Sequence, residues 1–350
     1  MRVHNVQIYQ TKEDVPEKYL ESIFKLIQAS DREYQPFGTA KLEFYRKIWK
    51  VPELSWVRNL RFIGTDENDE IVGYAWLGWN IKFDNLEQCW HYIHLKDDDA
   101  KEYNRTAMFK EIVRNLPEQI KSMYAWHLDE TKQEKFYDKF NKKQAYEELL
   151  FIADLEKQDL DSVSLEAQNQ REKALEKGYD IIFVEGVDYR GHVEDYSKFV
   201  KLIECVWNDM PTEELTEENT KLTVERYDEQ CKHNQMNFET FLAYIAIEKE
   251  TKDPVGITVS VIGKYQPHVA WQWETGVLHE HRGNGLGLAL KYRMLEKLLK
   301  IPDVKYWSTG SASVNVYMHR INEILGYKKW NSEIVYEFTK EELNGFIKSL

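Results

Sequence analysis

One stretch of the 350-residue chain sets side chains and bare backbone in chemically useful order: HEHRGNGLGLALKYR, His279 to Arg293. Glycines stand at the alternate positions Gly283, Gly285 and Gly287. Without a Cβ, backbone N–H groups at such positions can come close to a ligand. The apolar spacing of Leu288, Tyr292, Leu295 and Leu299 predicts a helix over 286–300. A glycine turn opening a helix presents unpaired N–H groups at the positive end of the helix dipole, an anion cradle suited to a pyrophosphate. Arg282 adds a charge-assisted donor, and no acid occurs from Arg282 to Arg293. Two common phosphate loops are excluded. A Walker A loop ends in Gly-Lys-Ser/Thr, whereas Leu288 and Ala289 follow Gly287 here. A dinucleotide loop has the spacing G-x-G-x-x-G early in a multi-strand unit, and here the spacing is G-x-G-x-G with only Leu288–Leu350 after it.

The preceding stretch, WQWETGVL from Trp271 to Leu278, reads as a strand with Gly276 in its interior. A strand glycine marks a bulge or a close backbone approach. A strand splayed there leaves main-chain groups for an extended, amide-bearing arm such as pantetheine. A splayed strand followed by a pyrophosphate turn describes a coenzyme A site. Period-two alternation places the indoles of Trp271 and Trp273 on one side of this strand and the Glu274 carboxylate on the other.

The elements that must position these residues alternate between strand and helix. YDIIFVE is a strand, and EDYSKFVKLIECVWND a helix with Tyr196, Phe199, Val200, Ile203 and Trp207 inward. LAYIAIEKETKDPVGITVSVIG gives two strands around a polar turn. The first half has the same order: HNVQIYQ, then PEKYLESIFKLIQAS with Pro16 at a helix start, then LRFIGTDENDEIVGYAWLGW, WHYIHL and RTAMFKEIVRNL. The registers agree, with Gly73 and Gly256 lying 183 residues apart, as do Trp90 and Trp273. Order and spacing together predict a tandem repeat, against the alternative of two unrelated α/β halves. The polar, charged segment between them reads as a helical linker ending at Gly178.

With these residues in view, VLHEHRGNGLG resembles the R-x-x-G-x-G signature of the GNAT acetyltransferase family at Arg282, Gly285 and Gly287. Further on, TGSASVNVYMHRINEILGY looks like that family's next motif, filled by Asn315, Met318, Asn322, Gly326 and Tyr327. The paired arrangement is similar to tandem GNAT proteins of the mycothiol synthase type. The resemblance implies an α/β (α+β) fold of two tandem domains, each a mixed, centrally splayed sheet flanked by helices. It implies a degenerate domain over 1–155, the linker over 156–177 and an acetyl-CoA-binding domain over 178–350. It also implies that the main chain of Val277, Leu278 and His279 pairs with pantetheine. Arg282, Gly283, Asn284, Gly285, Leu286, Gly287 and Leu288 would hold the pyrophosphate, and Asn315 the cofactor's arm.

The implied reaction is direct acetyl transfer from acetyl-CoA to a primary amine of a small cationic or amino-acid-like acceptor in a ternary complex. An alkylammonium has a pKa of about 10.4, so at neutral pH roughly one molecule in a thousand is nucleophilic and a base is required. Glu274 is the candidate base, with a cross-strand salt bridge as the alternative. Many family members carry a Tyr seven residues after the motif Asn as acid; here that position is Asn322, which can hydrogen-bond the cofactor but cannot protonate a thiolate. Tyr317 is the nearest phenol in sequence, with packing as its alternative role. At the 183-residue shift, HRGNGLG falls on DDAKEYN, where Asp97, Asp98 and Asp99 would repel phosphates and no glycine remains.

Bulk properties bound the rest. Hydrophobic residues are 42% and charged residues 31%, a globular composition. A net charge of −13 disfavours nucleic acid and anionic membrane. No apolar run has the length of a membrane span, the start lacks an export signal, and three isolated cysteines fit reduced thiols, so a cytoplasmic location is expected. His279 and His281 flank Glu280 without a partner His/Cys cluster, so no metal is expected, and His281 reads as solvent-facing. A monomer or a dimer is compatible with the sequence. Two other functions stay open: a non-catalytic coenzyme A-binding sensor or scaffold, and an acetyltransferase acting on a peptide or protein amine.

Overall fold

A computed structural model describes every residue except 35–36, 38–39, 129–135, 138–139, 141–142, 238 and 350. It divides into two units: Met1–Glu147 with Glu213–Glu218 and Glu333–Leu350, and Glu148–Thr212 with Asn219–Ser332.

The first unit opens with β1 (Asn5–Tyr9), α1 (Glu17–Tyr34), α2 (Leu42–Ile48), β2 (Val57–Thr65), β3 (Ile71–Asn80), β4 (Gln88–Leu95), α3 (Lys101–Arg114) and β5 (Ser122–Leu128). Helix α1 buries Tyr19, Ile23 and Phe24 on one face. Strands β1 to β4 pair antiparallel in sequence order. Strand β4 then pairs β5 parallel for three residues only, Gln88↔Ser122 to Trp90↔Tyr124. Beyond that point His91 Nδ1 faces the Tyr124 carbonyl at 3.1 Å and the Tyr137 hydroxyl meets His91 Nε2 at 3.2 Å. Phe109 packs edge-on against Phe136 and Phe140, so aromatic side chains build the core on this side.

The second unit contains β6 (Gln144–Asp154) from Glu148 onward, α4 (Leu160–Glu176), β7 (Tyr179–Glu185), α5 (Tyr196–Asn208), α6 (Val224–Met236), β8 (Glu239–Glu248), β9 (Pro254–Gly263), β10 (Gln266–Val277), α7 (Leu286–Leu299), β11 (Tyr306–Ala312) and α8 (Val316–Ile324). Its strand order is β7-β8-β9-β10-β11-β6, with only β10 and β11 parallel. That parallel pairing also lasts three residues, Val269↔Tyr306 to Trp271↔Ser308, after which the strands part. Both sheets are therefore mixed and splayed at the same place. The segment between the halves is helix α4, which buries Val163, Ala167 and Ala174 and gives way to Gly178 at φ +89°. Helix α7 covers one face with Leu290, Met294 and Leu298, and α5 covers the other with Phe199, Val200 and Ile203.

The chain closes with β12 (Lys328–Thr339) and α9 (Lys340–Ser349). Residues Glu333–Thr339 pair antiparallel with all of β5, and Leu343 and Phe346 enter the first unit's core. No helix among the described residues is long and apolar enough to cross a membrane.

Candidate functional site

The glycine turn joins β10 to α7. Gly283 and Gly285 adopt φ of +78° and +82°, a left-handed conformation that favours glycine, and a Cβ at either would meet nothing within 4 Å. Gly285 is the N-cap of α7, and no side chain caps that end. The first N–H groups of α7 are thus left for an outside acceptor, at the positive end of the helix dipole. The turn is braced from within and from Tyr179 on β7. Asn284 Nδ2 donates to the His281 carbonyl at 3.0 Å, and the Tyr179 hydroxyl meets His281 Nδ1 at 3.1 Å. His281 is therefore a brace packed edge-on against Tyr179, not the solvent-facing side chain that its polar neighbours suggested.

A groove of about 850 Å³ runs along this turn. Of the residues singled out from sequence, Val277, Arg282, Gly283, Gly285, Leu286, Gly287, Leu288, Asn315 and Tyr317 line it, while Leu278, His279, Asn284 and Asn322 do not. The strand register explains the first of these. Leu278 N–H donates to the Val255 carbonyl at 2.9 Å, so Gly276 and Leu278 pair with β9 and the Val277 N–H points to the open edge of the splay. The His279 carbonyl accepts from Arg282 N–H at 3.2 Å. Asn315 caps α8, its side chain accepting from Met318 N–H at 3.2 Å. Tyr317 is 84% exposed at the groove's edge. Arg282 Nε donates to the Val277 carbonyl at 2.9 Å, and its Nη2 pairs with the Asp209 carboxylate. Asp209 follows α5 and is 73 residues away in sequence, so the acid-free look of the loop is lost on folding.

Asn322 faces the core. Its Oδ1 accepts from Lys291 Nζ at 2.7 Å, and Lys291 is fully buried on α7, its ammonium over the rings of Trp307 and Tyr327 at 5.2 and 4.9 Å. Burial pushes the Lys291 ammonium down to about 7.

Glu274 lines a second cavity of about 280 Å³ with Tyr189, Trp207, Tyr227, Phe241 and Trp273. Alternation had set Glu274 opposite the indoles, but Trp273 and Glu274 share this cavity. The cause is a β-bulge: three steps on β10, from Gln272 to Thr275, face two on β9, from Ser260 to Thr258. The buried Gln272 amide holds the bulge, donating to the carbonyls of Val259 at 2.8 Å and Glu274 at 2.9 Å. Trp207 Nε1–H donates to Glu274 Oε1 at 3.0 Å. Burial raises the Glu274 carboxyl above its ordinary range, and the Trp207 bond works against that rise. Gly276 makes room for α5, since a Cβ there would sit 2.5 Å from Val206 Cγ2.

A second carboxyl went unnoticed in the sequence. Glu148 on β6 folds over Gly310, and a Cβ at Gly310 would collide with it. Trp307 packs on the α7 face, so Ser308, Gly310 and the Glu148 carboxyl lie on the α5 face, which Glu274 also occupies. Counting on from Trp271↔Ser308 through the bulge puts Gly310 level with Glu274 across the splay. Burial raises the Glu148 carboxyl as well.

In the first unit, the position corresponding to the glycine turn reads differently. The Asp98 carboxylate accepts the Ala100 N–H at 2.9 Å, and Asp97 pairs with Lys101 at 3.3 Å, so carboxylates take the ground before α3. Among the described residues no group of three or more His, Cys, Asp or Glu side chains is placed to hold a metal.

By sequence, no family model and no curated protein matches the chain. Solved structures do. A tandem GNAT protein from the clavulanic acid biosynthesis pathway superposes with a TM-score of 0.71 at 14% identity, covering 96% of this chain and 99% of its own. A GCN5-related N-acetyltransferase from Sphaerobacter thermophilus gives 0.61 at 12%, with 97% of each chain covered. A GNAT-family acetyltransferase from Colwellia psychrerythraea gives 0.53 at 12%, with 95% and 99% covered. The two splayed sheets and the glycine turn thus belong to a chain with the tandem GNAT acetyltransferase fold.

Proposed function

We propose that the chain is an N-acetyltransferase that moves an acetyl group from acetyl-CoA to the primary amine of a small cationic or amino-acid-like acceptor. The observation that carries this reading is the uncapped N-terminus of α7, opened by two left-handed glycines, beside a splayed strand that bears a half-buried carboxylate. The donor set fits the cofactor: the first N–H groups of α7 and Arg282 suit a pyrophosphate, and the Val277 N–H on the open strand edge suits an amide of the pantetheine arm. When bound, acetyl-CoA would supply a thioester acyl group open to direct attack by an uncharged amine: a C–N bond forms, the C–S bond breaks, and coenzyme A leaves as the thiolate, which takes up the amine's second proton. Glu274 receives the ammonium, orients it and takes its proton. The raised carboxyl is a better match to that task than an ordinary glutamate, because its conjugate base is stronger. Trp207 fixes the carboxylate rotamer through Oε1 and leaves Oε2 for the acceptor. The glycine-free, acid-rich turn of the first unit supports a single cofactor site in the chain.

Release of free thiol from acetyl-CoA across a panel of amines tests the reading. Turnover with at least one amine, reduced about 10²–10⁴-fold by Glu274→Gln, is expected. Tight coenzyme A binding with no turnover on any amine or peptide would leave a silent coenzyme A-binding protein instead.

A further inference from the structure

The cavity behind Glu274 has its own chemistry. Its 280 Å³ amounts to about nine water volumes, enough for the body of a small molecule. Five aromatic rings wall it, and Glu274 is its one charged lining residue among those described. At the α6 end stand two neutral amides a turn apart, Gln230 and Asn234, bonded to each other at 3.0 Å. The Glu148 carboxyl lies on the same sheet face across the splay.

We propose that this cavity is a subsite for the body of the acceptor, and that it selects organic ammonium compounds without a carboxylate, arylalkylamines being the class it fits. The proposal rests on the acetyl-transfer reading of the same unit and narrows it. Aromatic faces attract a cation and stack on a ring. An acceptor ammonium at Glu274 places the carbon skeleton among Tyr189, Tyr227, Phe241 and Trp273. In a free amino acid the carboxylate sits on the carbon that bears the ammonium, so it would meet the Glu274 carboxylate with no basic lining residue to offset it, in surroundings where like charges repel strongly. A neutral α-carboxamide meets no such repulsion, and a hydroxyl at the far end of the skeleton finds Gln230 and Asn234. Free amino acids are thereby rejected, while their amides and decarboxylated counterparts are accepted. Trp273, 41% exposed and edge-on to Phe241 at 5.3 Å, forms the lip of the subsite.

The test compares kcat/KM for phenethylamine, phenylalaninamide and phenylalanine with the full chain and acetyl-CoA. The two carboxylate-free amines are expected to exceed phenylalanine by at least 100-fold. Asn234→Lys is expected to cut that ratio at least tenfold by admitting the carboxylate. Trp273→Ala is expected to raise KM for phenethylamine at least tenfold with coenzyme A affinity unchanged. Phenylalanine within threefold of phenethylamine, or a ratio untouched by Asn234→Lys, overturns the subsite and leaves acetyl transfer standing. If no amine is acetylated, phenethylamine is titrated calorimetrically into the chain saturated with coenzyme A. Binding that Trp273→Ala abolishes then keeps the subsite and removes the transfer reading; no binding removes the subsite.

Discussion

Trp207 holds the candidate base through a single N–H, and that bond sets a testable pH dependence. The bond favours ionised Glu274, so its loss raises the carboxyl further. A base must be ionised to act, so kcat/KM falls as pH drops through its pKa. Trp207→Phe keeps the ring and removes the donor; the acidic limb of the kcat/KM profile is expected to move to higher pH. A limb that stays in place would show that Trp207 does not tune the base. At this scale the sequence was legible where a residue's conformation is its own property. Gly283 and Gly285 announced their backbone, because few other residues take φ near +80°. It was illegible where position depends on a distant partner. The side of the strand that Glu274 takes is decided by the bulge, and the bulge by Gln272 bonding across to Val259. Asp209 reaches Arg282, and Glu148 reaches Gly310, only through the fold.

Among the elements, α5 against β10 and α7 against α8 are the informative pairs. Gly276 lets α5 approach, so Gly276→Ala is expected to cost about 1–3 kcal/mol through overpacking on Val206. Adding Val206→Ala should recover most of that loss in chemical denaturation; losses that simply add would mean the two residues do not press on each other. The second pair carries a buried ammonium. Lys291 falls to about 7 in the fold against about 10.4 in an unfolded chain. Between those values the unfolded chain binds more protons, so folding stability rises with pH across that window and is flat below it. Lys291→Met with Asn322→Leu removes both polar partners and is expected to stabilise the protein by about 1–4 kcal/mol at pH 7. That advantage should shrink as pH rises toward 10. Equal pH slopes for the two proteins would contradict the buried-lysine account. The helix carrying Lys291 was readable from its apolar period, but the ammonium was not, since a lysine one turn from Leu288 and Leu295 looks like an ordinary surface residue.

For the molecule as a whole, the order of elements was legible and the exact register was not: both sheets part after three parallel pairs, at Trp90 and at Trp271, so the counterpart of Trp90 is Trp271 and not the Trp273 that a constant shift of 183 selects, the β10 bulge lying between. The fates of the two splays differ. Aromatic side chains and the Asp98 carboxylate close the first, while glycines hold the second open. Calorimetric titration with coenzyme A is therefore expected to give one site per full chain; two sites of similar affinity would refute this asymmetry. The destination of the final strand was beyond reading. KKWNSEIVYEFT has the composition of any half-buried strand, and nothing local says that its partner is β5.

That distant partner has a consequence for how the chain is made. Until residues 333–350 exist, β5 from Ser122 to Leu128 is an unpaired edge, and the first core lacks Leu343 and Phe346. Synthesis from Leu128 to Glu333, at about 5–20 residues per second, takes on the order of 10–40 s. Over that interval the second unit's strands emerge in order while the first, though made earlier, waits with an open seam. The half that is translated first is thus expected to be the half whose sheet is completed last.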